Sequence, residues 1–241
     1  MNWLGESARF VHVFFGVVGL VAFWIPVFAR KGAVNHVRYG KVFVWSAYVV
    51  LAAAALALAV RSIALAVEGV GPSDKPLLYG FIVFLGYLTF VTFVTLRQGM
   101  AVLRNKQDPA SLRTTLNIVL AYAAIAASVA VILYGIILSP PNRLLLFVLS
   151  PIGFGTGFGN LRYMRAVGVS KRQWMYEHLG AMLGAGIAFH TAFGVFGATR
   201  LFDVGISGPF AFIPWVAPAA IGIPAITLWT RHYQRKFGEI A

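Results

Sequence analysis

The sequence predicts an all-α, polytopic membrane protein: a seven-transmembrane-helix bundle with its N-terminus outside and its C-terminus in the cytoplasm. Three observations carry that prediction. Only 11% of the 241 residues are charged and 59% are hydrophobic, with a mean hydropathy of +0.80, whereas a soluble domain carries about 25% charged residues. Apolar stretches recur seven times, at 8–28, 42–67, 77–96, 115–139, 144–161, 176–199 and 208–230. Each is about 18–26 residues long, enough to cross roughly 30 Å of hydrocarbon at about 1.5 Å per residue. Finally, fifteen of the twenty Lys and Arg residues fall on one side of this pattern.

Each stretch is expected to be a helix, because hydrocarbon offers no water to satisfy open backbone groups. The first is expected to stay in the mature protein: Met1–Glu6 lacks a basic n-region, and Pro26-Val27-Phe28-Ala29-Arg30 offers no cleavage site. Behind it comes a basic connection with Arg30, Lys31, His36, Arg38 and Lys41. The second span leads to Glu68, Asp74 and Lys75, and the third to Arg97, Arg104, Lys106 and Arg113. The fourth is uninterrupted. The fifth reads FVLSPIGFGTGFGN from Phe147 to Asn160. There Pro151 predicts a kink, and Gly153, Gly155, Gly157 and Gly159 permit close backbone approach. No strand precedes these glycines, so they are not a dinucleotide loop. Arg162, Arg165, Lys171 and Arg172 follow. The sixth span carries Gly180, Gly184 and Gly186, a small-residue packing face. The seventh holds Pro209, Pro214, Pro218 and Pro224 and is expected to bend; Arg231, Arg235 and Lys236 trail it. Trp3, Trp24, Trp45, Trp174, Trp215 and Trp229 lie mostly near span ends, where amphipathic rings favour the headgroup boundary.

The opposite side has only Arg9, Arg61, Lys75, Arg143 and Arg200, beside Glu6, Glu68, Asp74 and Asp203. The positive-inside rule therefore sets the orientation. One membrane domain over 1–241 is expected, in a bacterial inner membrane. The net charge of +13 suits anionic lipid headgroups rather than nucleic acid. With no cysteine, disulfides, thiolate metal sites and thiol chemistry are excluded. A retinal Schiff base is excluded too, since 208–230 contains no lysine.

Carboxylates are nearly absent from the spans. Glu177, at the start of the sixth, suits a helix N-terminus. Histidine remains, and a titratable side chain at membrane depth is a functional candidate by default. His12 lies about four residues inside the outer end of the first span. His190 lies about fourteen residues into the sixth, roughly 20 Å from its inner end. His36 sits in the first cytoplasmic connection, and His178 two or three residues into the sixth span. His232 lies just past the seventh and reads as a surface residue. The other four sort by depth into an outer pair, His12 with His190, and an inner pair, His36 with His178.

Neutral imidazole is an axial ligand for haem iron, and two pairs at two depths suit transmembrane electron transfer. Arg9, three residues before His12, and Arg61 supply cations for propionates at the outer boundary, with Arg38, Lys41 and Arg172 near the inner pair. The twelve residues between His178 and His190 put them about 120° apart around an ideal helix. The competing readings are that each histidine hydrogen-bonds across helices, that His36 is simply a loop residue, or that the set serves another metal or a proton relay.

His12-Val13-Phe14-Phe15-Gly16, Phe23-Trp24-Ile25-Pro26, Arg30-Lys31-Gly32 and His36-Val37-Arg38-Tyr39-Gly40-Lys41, with Glu177-His178-Leu179-Gly180-Ala181-Met182 later, resemble the bacterial membrane-protein family called domain of unknown function 2306. The resemblance covers most of the chain in layout and about fifty residues in motif. It departs at Val37, where the family pattern has a basic residue, and in the spacing before Met182. It implies a multi-span membrane protein and a functional role for the matching histidines. The depth of the histidines is also loosely similar to dihaem transmembrane cytochromes b.

The expected function is that of an electron-transfer protein with b-type haem at His12/His190 and His36/His178, working between a quinol or small reductant and a partner. The alternatives are a cofactor-free small-molecule transporter or channel, lined by the fifth and seventh spans, and a membrane scaffold.

Overall fold

A computed structural model describes residues 2–168, 170–198 and 213–240. The elements, in order, are α1 (Asn2–Phe28), α2 (Val34–Val67), α3 (Pro76–Ala101), a 3₁₀ turn (Pro109–Leu112), α4 (Thr115–Ile137), α5 (Arg143–Leu149), α6 (Pro151–Arg165), α7 (Gln173–Ala192) with a π turn (Phe193–Gly197), and α8 (Ile213–Lys236). No strand occurs among the described residues. Counting α5 with α6 and α7 with its π turn, seven helical stretches among the described residues are long and apolar enough to cross a membrane. The chain is a multi-pass helical membrane protein.

Helices run past the apolar stretches at several ends. α2 starts at Val34 rather than near residue 42, so His36, Arg38 and Lys41 are helical and not in a connection. Hydropathy sees only the lipid-compatible part of a helix, and a polar first turn escapes it. At about 1.5 Å per residue the 34 residues of α2 reach roughly 51 Å, well beyond the hydrocarbon. Arg97, Arg162, Arg165, Arg231, His232 and Arg235 likewise lie within helices. His178 is the sixth residue of α7, deeper than expected. Glu177 is the fifth, past the first turn, and accepts from the Gln173 amide at 3.1 Å instead of capping the helix. Arg200, Asp203 and Pro209 lie outside the described residues.

The chain divides into two compact units: residues 1–94 with 113–165, and residues 95–112 with 166–241. In the first, α1 and α2 form an antiparallel hairpin. Its turn needs Gly32, whose φ of 79° is left-handed and costs a side-chain-bearing residue steric strain. The helical run of the fifth span is interrupted at Ser150, between α5 and α6, although the Ser150 backbone itself stays helical at φ −58° and ψ −30°. Pro151 has no N–H to give the Phe147 carbonyl one turn back, and the Ser150 hydroxyl donates to that carbonyl instead, at 2.9 Å. The Tyr87 hydroxyl closes the gap from α3: it donates to the Ser150 carbonyl at 2.8 Å and accepts from the Gly153 N–H at 2.8 Å. Gly153 and Gly157 turn to α4, where a Cβ would strike Ser128, the Ala124 and Ala121 carbonyls and Ile125. Gly155 and Gly159 have open space beside them. The first two glycines are therefore packing residues.

In the second unit α7 packs on α8. Tight glycines here include Gly222, against Ile187, and Gly99, against Ala181 and Met182. A Cβ at Gly180 or Gly184 would meet its neighbours only at ordinary contact distance, 3.7–3.8 Å. Pro214 occupies the first turn of α8, where its missing N–H costs nothing, while Pro218 and Pro224 lie inside it.

Candidate functional site: four histidines with one bonding pattern

Each of the four candidate histidines uses Nδ1 in the same way. His12 Nδ1 donates to the Val50 carbonyl at 3.0 Å and His36 Nδ1 to the Pro26 carbonyl at 3.0 Å. His178 Nδ1 donates to the Gly99 carbonyl at 2.8 Å, and His190 Nδ1 to the Gly186 carbonyl at 2.7 Å. A carbonyl only accepts, so in the neutral rings the proton lies on Nδ1 and the lone pair on Nε2. All four rings are partly buried. Three bonds join different helices; the His190 bond returns one turn down α7.

His12 and His36 belong to the first unit. From His12 to Pro26 is fourteen residues of α1, and from His36 to Val50 is fourteen of α2, so both bonds obey one antiparallel register. Fourteen residues is two heptads, which returns each helix to within about 40° of the same face and about 21 Å further along. In the second unit His178 and His190 stand twelve residues apart on α7, or roughly 18 Å. The two axial spacings agree within about 3 Å. The π turn starts three residues past His190; such irregularities recur at functional sites.

Gly16 and Gly40 repeat a second pattern, each four residues after a hairpin histidine. Nothing lies within 4 Å of the point a Cβ would occupy at either. A small notch therefore stands one turn from each ring.

One basic residue at the α1–α2 turn is used locally. Lys31 Nζ donates to the Pro26 and Val27 carbonyls at 2.9 and 2.7 Å, closing acceptors that α1 leaves open at its C-terminus. Pro26 thus receives both Lys31 and His36. Burial pushes the Lys31 amine below the usual lysine range. Arg113 performs the same service for α6, donating through Nε to the Met164 carbonyl at 2.6 Å. Arg9 is exposed on α1 and lines a shallow groove with Glu6, Phe10 and Val13. Arg61 is exposed on α2.

No set of three or more His, Cys, Asp or Glu side chains gathers as a metal site among the described residues; bis-imidazole ligation asks for only two. Sequence reasoning missed the Tyr87 knot at the α5–α6 break, because a tyrosine inside an apolar span carries no signal of what it bonds. No family model, curated protein or solved structure matches the chain.

Proposed function

We propose that this is a b-type-haem-binding electron-transfer protein of the bacterial inner membrane, in which His12 and His190 ligate one haem and His36 and His178 a second. The pairing follows depth along the helices counted from the sequence. One observation carries the reading: every one of the four rings gives its Nδ1 proton to a backbone carbonyl. That is the outer-shell bond that fixes a ligand imidazole's tautomer and orientation and raises its basicity at Nε2. The notches at Gly16 and Gly40 leave room beside two of the rings for a flat macrocycle.

Bound haem would supply one-electron chemistry. The protein's own part is to present neutral Nε2 atoms, exclude water and hold cations near the propionates, a role for Arg9 and Arg61 at the outer boundary. A quinol or small reductant is the donor class, and anionic lipid headgroups attend the basic side.

A second reading has its own support. The bonds from His12, His36 and His178 cross between helices, and a histidine can serve as a tie alone. Haem-replete expression followed by a reduced-minus-oxidised absorption spectrum separates the two. Sharp visible bands that disappear from alanine variants of the ligands support haem. A colourless protein would leave His12, His36 and His178 as inter-helix ties and sink the electron-transfer reading.

A further inference from the structure

The residues after α8 fold back onto the approach to α7. Gly238, at φ 68°, ends α8 with its N–H on the Arg235 carbonyl and the Glu239 N–H on the Gln234 carbonyl, both at 2.9 Å. This turn delivers the Glu239 carboxylate to three donors. Tyr176 and Ser170 donate their hydroxyls to Oε2 at 2.7 and 3.2 Å, and the Arg172 guanidinium stands 3.7 Å from Oε1. The receptor is ordered from within: the Arg172 N–H donates to Ser170 Oγ at 3.3 Å, and the guanidinium lies over the Phe237 ring, 4.1 Å from its centroid.

Two hydroxyls and a guanidinium converging on one anion are also what a phosphate oxygen pair accepts. The surroundings favour such an exchange. Lys171, Arg172, Arg235 and Lys236 lie in the same two stretches, and Glu239 is the sole acid in 170–176 and 231–240. Lys106 lies over the Trp174 ring at 4.5 Å, and a tryptophan beside a cation at a span end marks the headgroup level. The Arg172 side chain is 44% exposed while Glu239 is only 18% exposed, so the guanidinium can reach an incoming anion before the carboxylate leaves.

We propose that Ser170, Arg172 and Tyr176 form a seat for the phosphate of an anionic phospholipid, which the Glu239 carboxylate fills when no such lipid is bound. Tail release and lipid capture are then one exchange. The inference stands whether or not the histidines hold haem.

The chain has no cysteine, so Ile240→Cys carries a single spin label beside Glu239. Full-length protein is placed in phosphatidylcholine bilayers, alone, mixed with phosphatidylglycerol, or with inorganic phosphate added. Lipid retained after detergent extraction is measured in parallel by native mass spectrometry. Phosphatidylglycerol should mobilise the label and phosphatidylcholine should not. Mobilisation by inorganic phosphate as well would identify the seat as open to soluble phosphate, with the same chemistry. Glu239→Gln should retain more phosphatidylglycerol than the parent. Arg172→Gln should retain about fivefold less, the effect of one basic residue at an anionic surface, and Arg172→Lys should recover most of it. A label that stays immobile in every bilayer would overturn the proposal, as would equal retention by parent, Glu239→Gln and Arg172→Gln. The contact would then be a clasp only.

Discussion

His12 and His36 make the same bond at two levels of one helical hairpin, each giving Nδ1–H to a carbonyl on the other helix at 3.0 Å. The two rungs lie two heptads apart and fix a single register between α1 and α2. A slip of either helix would break both at once. The same residues present Nε2 at two depths, so one pair of side chains sets the hairpin geometry and supplies two candidate ligands.

That dual use separates by substitution. His12→Ala or His190→Ala should abolish one spectral centre and spare the other, and His36→Ala or His178→Ala should do the reverse. The reasoning is depth: in each unit the two histidines are roughly 18–21 Å apart along the helices. Redox titration of each variant checks this. Loss of both centres from every single variant would contradict two independent sites.

Gly16 tests the notch without touching a ligand. Gly16→Phe fills open space rather than a packed contact, so thermal stability should change by less than about 0.5 kcal/mol, while absorption at the His12 centre falls. Normal haem content in this variant would show that the macrocycle does not lie beside Gly16.

The hairpin tie has a measurable value. An inter-helix hydrogen bond in a membrane averages about 0.6 kcal/mol and reaches about 1.7. His12→Ala in haem-free protein should destabilise by about that amount in a denaturant titration, and His12→Gln, which keeps an amide donor, by less. The double variant with His36→Ala should exceed the sum of the singles, because the rungs share one register. Simple additivity would argue against the shared-register account.

Membrane residence, the number of apolar helices and the irregularity ahead of Pro151 were legible in the sequence because each rests on local chemistry. Hydropathy answers to lipid, and a proline lacks its N–H wherever it sits. The ends of the helices were less legible. His36 and Lys41 look like connection residues to any hydropathy count, yet a polar turn extends α2 into the headgroups at no cost. Partners were hidden for a different reason. His178 meets Gly99 across 79 positions, and Tyr87 meets Gly153 across 66. No periodicity encodes those separations. The repeated histidine–glycine spacing, 12 to 16 and 36 to 40, was visible, but its meaning depends on the antiparallel register. The packing role of the fifth-span glycines was readable in kind; which two of the four meet α4 was not.

Orientation is open to direct test. Fifteen basic residues against five, all in short connections or helix ends, should dominate insertion. Reporter fusions after Lys31, Asn105 and Ala241 should read as cytoplasmic, and those after Gly71 and Ser207 as external. A fusion at Ala241 active only outside would invert the assignment and exchange the outer and inner histidine pairs.

Tyr87 supplies the most local prediction. Its hydroxyl accepts the Gly153 N–H and donates to the Ser150 carbonyl, inside a stretch where water is scarce. Tyr87→Phe keeps the ring and its packing but leaves that N–H without its acceptor at the broken helix. Stranding a buried polar group costs about 1–3 kcal/mol. Thermal unfolding in detergent should show a fall of that size. Gly153→Ala should be at least as damaging for a separate reason, since its Cβ would collide with Ser128, the Ala124 carbonyl and Tyr87 together. Because both substitutions act on one knot, the double variant should cost less than the two singles added. Full additivity would mean that Tyr87 and Gly153 stabilise the break independently.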